Sequence, residues 1–177
     1  MTFGWTENTH QQITQAALNY LNFSIPEKHE ILQGEAIPDT ELPWNALNHF
    51  QTPNAGRSIR NIVDNFNKNN LLSLGKAVHY LQDLTNPFHT SFSYQDLHQE
   101  YENYAETVPF DFIPGKHVLT NDLERSLNRL AFEVRGYLHE IRDSRLNNDR
   151  AYLYDRTVYL KKLATQATYD LIRMWMK

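Results

Sequence analysis

The chain has 177 residues, 41% of them hydrophobic, a size and balance that suit one globular domain with its own core and exclude a disordered segment. Its 17 basic and 21 acidic side chains leave a formal charge of -4, which argues against broad electrostatic capture of nucleic acid, although bound cations would invert that field locally. Cysteine is absent, so disulfides and thiolate metal sites are excluded and any metal must be held by nitrogen and oxygen donors. No run of about 18 apolar residues is present, so no membrane span is expected.

Helix signals dominate in chain order. The opening MTFGWTENTH has no basic segment followed by an apolar one, so no secretory leader is expected. In TENTHQQITQAALNYL, Ile13, Ala16, Ala17, Tyr20 and Leu21 recur at helical spacing, with Thr6 or Thr9 as the cap. A short helix is expected after Pro26, a residue suited to a first turn. Residues 34 to 56 read as a long irregular stretch punctuated by Pro38, Pro43 and Pro53, with Trp44, Leu47 and Phe50 packing it down. Helix resumes in SIRNIVDNF and NLLSLGKAVHYLQDL, and the Asn86-Pro87 pair should end the latter. A further helix is expected over residues 95 to 105, then a loop, then two long helices after Thr120 and after residues 148 to 149. Strand-like alternation is nearly absent. The expectation is a single all-α domain spanning residues 1–177.

The segment with the most chemistry is HYLQDLTNPFHTSFSYQDLHQEYENY. His79 and Asp83 are four apart on a predicted helix and share one face; His98 and Glu102 repeat the arrangement on the next. His89 lies between them, just after the Asn86-Pro87 break. Taken singly, each pair reads as an ordinary helix contact. Two pairs with a fifth donor between them form the kind of constellation that helical bundles use to hold metal ions. His10, at the start of the first helix, Asp39, after Pro38, and His49, in ALNHF, are further candidates, though a helix-start histidine, a turn aspartate and a loop histidine account for them equally well.

These residues carry a recognisable pattern. HYLQDLTNPFH and HQEYENY resemble the signature elements of the bacterial zinc-dependent phospholipase C family, and more distantly those of the fungal single-strand zinc nucleases that share its fold. GEAIPD, NHFQTP and WTENTHQQIT resemble the family's earlier ligand segments, so the likeness spans about residues 5 to 105. It implies a compact multi-helix bundle holding three Zn2+ ions. Asp39, His49, His79 and Asp83 would hold one, and His89, His98 and Glu102 a second. Asp83 would bridge to a third, completed by His10 and the main chain of Trp5. In the family that tryptophan is the first residue and its free amino group is a ligand; here MTFG precedes Trp5, and an internal peptide nitrogen is a poor donor. The third ion therefore depends on whether residues 1–4 are retained.

The implied activity is hydrolysis of a phosphodiester by zinc-activated water, with Asp39 orienting or deprotonating that water. Cleavage of a phospholipid on the glycerol side of the phosphate is the first expectation, with transient lipid-surface contact. Phe50, Phe92, Tyr94 and Trp44 are candidates to line the cleft and attract a quaternary ammonium group. A single-strand nuclease or nucleotidase on the same cluster is the alternative, and it needs open aromatic faces beside the metals. A helical module with a residual metal site is the third reading. The resemblance implies secretion, and no stable nucleic-acid partner is expected.

Overall fold

The computed structural model describes residues 4–41 and 46–177. Trp44, expected to line a cleft, Pro43 and residues 1–3 of MTFG lie outside the described residues. The fold is all-α; among the described residues the nearest thing to a strand is one antiparallel bridge between Gln51 and Gly56.

Helix α1 spans Glu7–Leu18, capped by the Thr6 hydroxyl, which accepts from Thr9 N. Helix α2 spans Ile25–Thr40 behind a capping box in which Ser24 and Glu27 satisfy each other's backbone N–H. This corrects the start of the irregular stretch expected over residues 34 to 56: α2 continues through Gly34 and Pro38 to Thr40. Pro38 sits in the last turn, where a lost N–H breaks few later bonds. The helix is kept by packing that local propensity does not report. A 3-10 turn, Ala46–His49, precedes α3, Ser58–Phe66, and α4, Leu71–Leu84. A second 3-10 turn, Pro87–His89, follows α4, with the Asn86 side chain accepting from Phe88 N.

The 3-10 turn Gln95–Leu97 runs into α5, His98–Thr107. Lys161 pins the end of α5: its fully buried ammonium donates to Ala105 O at 2.8 Å and Val108 O at 2.7 Å, carbonyls in the last turn of the helix and just past it. Burial pulls this lysine's pKa down to about 8. The expected pair of closing helices is a trio: α6, Leu123–Gly136, α7, Leu138–Leu146, and α8, Arg150–Trp175. Gly136 and Tyr137 break what the sequence presents as one helix. No described helix is long and apolar enough to cross a membrane.

Helix α4 is the axis of the molecule, buried without interruption from Ala77 to Leu84. Its apolar residues Leu74, Val78, Leu81 and Leu84 form a core with Ile13 of α1, Ile31 of α2, Ile62 of α3 and Leu171 of α8. Because every side of α4 is covered, His79 and Asp83 are carried into the interior. The crossing with α2 is especially close. A Cβ on Gly34 would overlap Leu72 O, and one on Gly75 would overlap Ile31 O and Glu35 N. We expect Gly75→Ala to force the two helices apart and to cost about 2–3 kcal/mol, read as a lowered midpoint in urea with unchanged slope.

Candidate metal centre

Six segments deliver donors to one place. His10 comes from the first turns of α1, Asp39 from the last turn of α2 and His49 from the 3-10 turn Ala46–His49. His79 and Asp83 stand one turn apart on α4, His89 ends the turn Pro87–His89, and His98 and Glu102 stand one turn apart on α5. These donors fall into three groups, each compact enough to surround an ion: Asp39, His49 and His79; His10, His79 and Asp83; and His89, His98 and Glu102.

In the first group His79 Nε2 lies 3.4 Å from Asp39 Oδ1 and 3.2 Å from His49 Nδ1. In the second, His10 Nε2 lies 3.3 Å from Asp83 Oδ1, and His79 Nε2 lies 3.2 Å from Asp83 Oδ2. The Asp83 carboxylate joins the two, because Oδ2 also reaches His49 Nδ1 at 2.6 Å. His79 stands in both groups, a sharing that spacing along the chain does not reveal. In the third, His98 Nε2 meets both Glu102 Oε1 and His89 Nε2, the latter at 3.0 Å.

The hydrogen-bond partners fix which nitrogens carry protons. His89 Nδ1 lies 2.7 Å from His49 O, and a carbonyl only accepts, so Nδ1 is the protonated nitrogen. His98 Nδ1 lies 2.8 Å from Gln95 Oε1. That amide cannot be turned round, because its Nε2 donates to Phe88 O and Ser91 O. With both rings neutral, two lone pairs would face each other at 3.0 Å, and a proton or a metal ion between them relieves the repulsion. The same inward aim marks His10 Nε2, Asp39 Oδ1, Asp83 Oδ1 and Glu102 Oε2, buried atoms with no hydrogen-bond partner. A donor set of imidazole and carboxylate without thiolate fits a divalent ion.

In the metal-free chain protons supply the missing charge. Burial opposes ionisation of His79, yet Asp83 and Asp39 overcome it and raise its pKa to about 10. His89 is raised in the same way, against its burial, by Asp83 and Glu102. Burial also opposes the charge on Asp83, but His79 and His89 hold it well below the usual carboxylate range. His98 is lowered, chiefly by burial.

Of the donors, Asp39 is the outermost carboxylate: its side chain is 19% exposed, whereas Asp83 and Glu102 are sealed. It marks the mouth. Phe50 stacks flat on the His89 ring, centroids 4.8 Å apart, and Phe92 leans on Phe50 with about half of its own surface exposed. Tyr94 is turned towards α7, where Arg142 donates to its hydroxyl at 2.7 Å and covers its ring. Tyr94 also holds a left-handed backbone, φ 61°, a strained conformation in the segment joining His89 to His98.

Trp5 is wholly buried, its indole N–H donating to Gln82 O at 2.9 Å. The main chain just before it crosses the cluster. Gly4 N donates to Glu102 Oε1 at 3.2 Å, and a Cβ on Gly4 would overlap Asp83 Oδ1. Gly4, Gln82, Asn86 and Gln95 were not legible as site residues. Asn86 Nδ2 donates to Glu102 Oε1 at 3.0 Å, so all four act by contact with donors or with their supports.

Neither a protein-family model nor a curated protein sequence matches this chain.

A metal entering the centre must displace the protons held there. Calorimetric titration of chelator-stripped protein with Zn2+ in two buffers of different ionisation enthalpy should therefore register proton release at neutral pH. Because His79 holds its proton up to about pH 10, apparent affinity should rise with pH below that value. The expected slope is about tenfold per pH unit for each proton displaced. Binding without proton release would contradict the assignment of His79 as a donor.

Proposed function

We propose that this chain is a zinc-dependent phosphoric diester hydrolase, and that its substrate is a phospholipid cleaved on the glycerol side of the phosphate. The observation that carries this reading is the joining of the first two donor groups through Asp83 and His79, with the third beside them and the partly exposed Asp39 at the mouth. A structural zinc site is closed on all sides by protein donors, whereas catalysis needs positions open to water and substrate. Three donor groups, two of which share His79, supply too few side chains to close three shells.

Zinc ions, when bound, lower the pKa of water towards about 7 and neutralise charge growing on phosphoryl oxygens. The side chains supply orientation. Asp83 fixes the distance between the groups it joins, and hence the reach available to a phosphate. Asp39, outermost of the carboxylates, is placed to hold a water by hydrogen bond and to accept its proton as it attacks phosphorus. The backbone bond from Gln51 N to His89 O, 2.8 Å, ties the two histidine-bearing turns together and limits movement of the wall.

The surroundings favour a lipid over a nucleic acid. Leu47 and Phe92, each about half exposed, stand close in sequence to His49 and His89, and we read them as apolar surface available to a lipid near the site. A nucleobase clamp requires open aromatic faces, and Phe50 is covered by His89 on one side and leaned on by Phe92. The resemblance to exported phospholipases also supports secretion and transient contact with a lipid surface.

Zinc-loaded protein incubated with phosphatidylcholine vesicles should release phosphocholine, with the release abolished by a chelator and restored by zinc. Absence of release at verified zinc occupancy would overturn the phospholipase reading, and hydrolysis of a single-stranded oligonucleotide instead would establish the nuclease. Asp83→Asn should reduce activity more than any other single change, by at least ~100-fold, and lower bound zinc as well. Full turnover and zinc content in that variant would refute the joining role of Asp83.

A further inference from the structure

The two histidine-bearing 3-10 turns, Ala46–His49 and Pro87–His89, serve different donor groups yet are bonded to each other. His89 Nδ1 donates to His49 O at 2.7 Å, and Gln51 N donates to His89 O at 2.8 Å. Just beyond these bonds stand two further carbonyls, Gln51 O and Thr90 O. Both meet one side chain from the last turn of α6. Arg135 donates from Nε to Thr90 O at 2.8 Å and from Nη2 to Gln51 O at 3.1 Å.

That pair of bonds acts as a gauge. Nε and Nη2 share one edge of a rigid planar guanidinium, so the two acceptors are held at the spacing of that edge. Without the cation, two carbonyl dipoles would turn their negative ends on the same space and push the turns apart. Thr90 is wholly buried, so a lost donor would leave its carbonyl without a partner. Partial burial lowers the pKa of Arg135, and no carboxylate among the described residues counters it. The charge is therefore committed to these carbonyls and not to an ion pair. Past the break at Gly136 and Tyr137, Arg142 of α7 reaches the same segment and holds the Tyr94 hydroxyl.

We propose that Arg135 is a positioning residue whose guanidinium edge fixes the separation of the His49 and His89 turns, and with it that of the first and third donor groups. It acts through the main chain of Gln51 and Thr90. The proposal rests on the metal-centre reading above, because a phosphate held between ions of two groups needs their spacing set in advance. A misplacement of about 1 Å in such a site can cost about 100-fold in rate.

Native-state hydrogen exchange of the zinc-free protein reads the clamp directly. In Arg135→Met the Gln51 amide, bonded to His89 O, should exchange at least ~10-fold faster relative to α4 amides such as that of Leu81. Arg135→Lys keeps the charge without the planar edge and should fall between wild type and Arg135→Met. Loading with Co2+ then reports donor geometry. Its visible absorption bands should shift in Arg135→Met at unchanged Co2+ stoichiometry, and Arg135→Lys should recover part of the shift. A merely structural role would speed exchange at Gln51 and in α4 alike and leave the bands in place. That pattern, or a Gln51 amide as slow in Arg135→Met as in wild type, would overturn the proposal. If Arg135→Met fails to fold, Arg135→Lys decides, and exchange and bands identical to wild type overturn it. Protein that binds no Co2+ would sink the metal centre and leave the clamp to the exchange rates. Absence of phosphocholine release touches neither readout, so the two readings fall separately.

Discussion

Two imidazole nitrogens face each other at 3.0 Å in the middle of the bundle, each with its partner nitrogen already committed to an acceptor that cannot turn. This confrontation between His89 and His98 governs the molecule, because it can be relieved only by positive charge. The same demand recurs at Asp83, Glu102 and His10, where buried atoms point inward without partners. An unsatisfied buried polar atom costs about 1–3 kcal/mol, so several together rival the ~5–15 kcal/mol net stability of a typical domain. The helices around the cluster are therefore arranged for a charged occupant, and protons on His79 and His89 are its substitute when no metal is bound. An ion held by these groups would link binding to folding, since it would stabilise only the state in which the six segments meet.

What was readable in advance follows from the range over which each residue acts. His79 with Asp83 and His98 with Glu102 were legible because a helix puts residues four apart on one face whatever surrounds it. His89 was legible from the Asn86-Pro87 break. The all-α class is legible from periodicity, and of the two caps offered for the first helix Thr6 is the one used. Gly34 and Pro38 look like breakers, so the sequence alone puts Asp39 in an irregular stretch. The packing that keeps α2 helical involves Leu72 and Gly75, about 40 residues away. The break between α6 and α7 is illegible for a simpler reason: one glycine in an otherwise helical run is a weak stop signal.

The supports of the site were the least legible part. Gln82 acts on His10 across 72 positions, and Gly4 meets Glu102 across 98. A glutamine inside a helix and a glycine before a tryptophan carry no local mark of such duties. Gln95 is a partial exception, since it lies three residues before His98 and so falls on its face of a helical turn. Donors are recognisable by residue type and spacing. The groups that choose their tautomers are recognisable only once the chain is folded, because any polar side chain at the right place in space will serve.

The crossing of α2 and α4 has a consequence for how this sequence can drift. Gly34 and Gly75 let main chain rest against main chain, so the spacing of the two helices is set by atoms common to every residue. Leu74, Val78 and Ile31 can then be exchanged for other apolar residues of similar volume without altering how far Asp39 stands from His79. Distant descendants should accordingly differ widely in their cores while keeping the same cage dimensions. Exposed positions such as Leu47 and Phe92 are free to change as well, since they leave the crossing untouched.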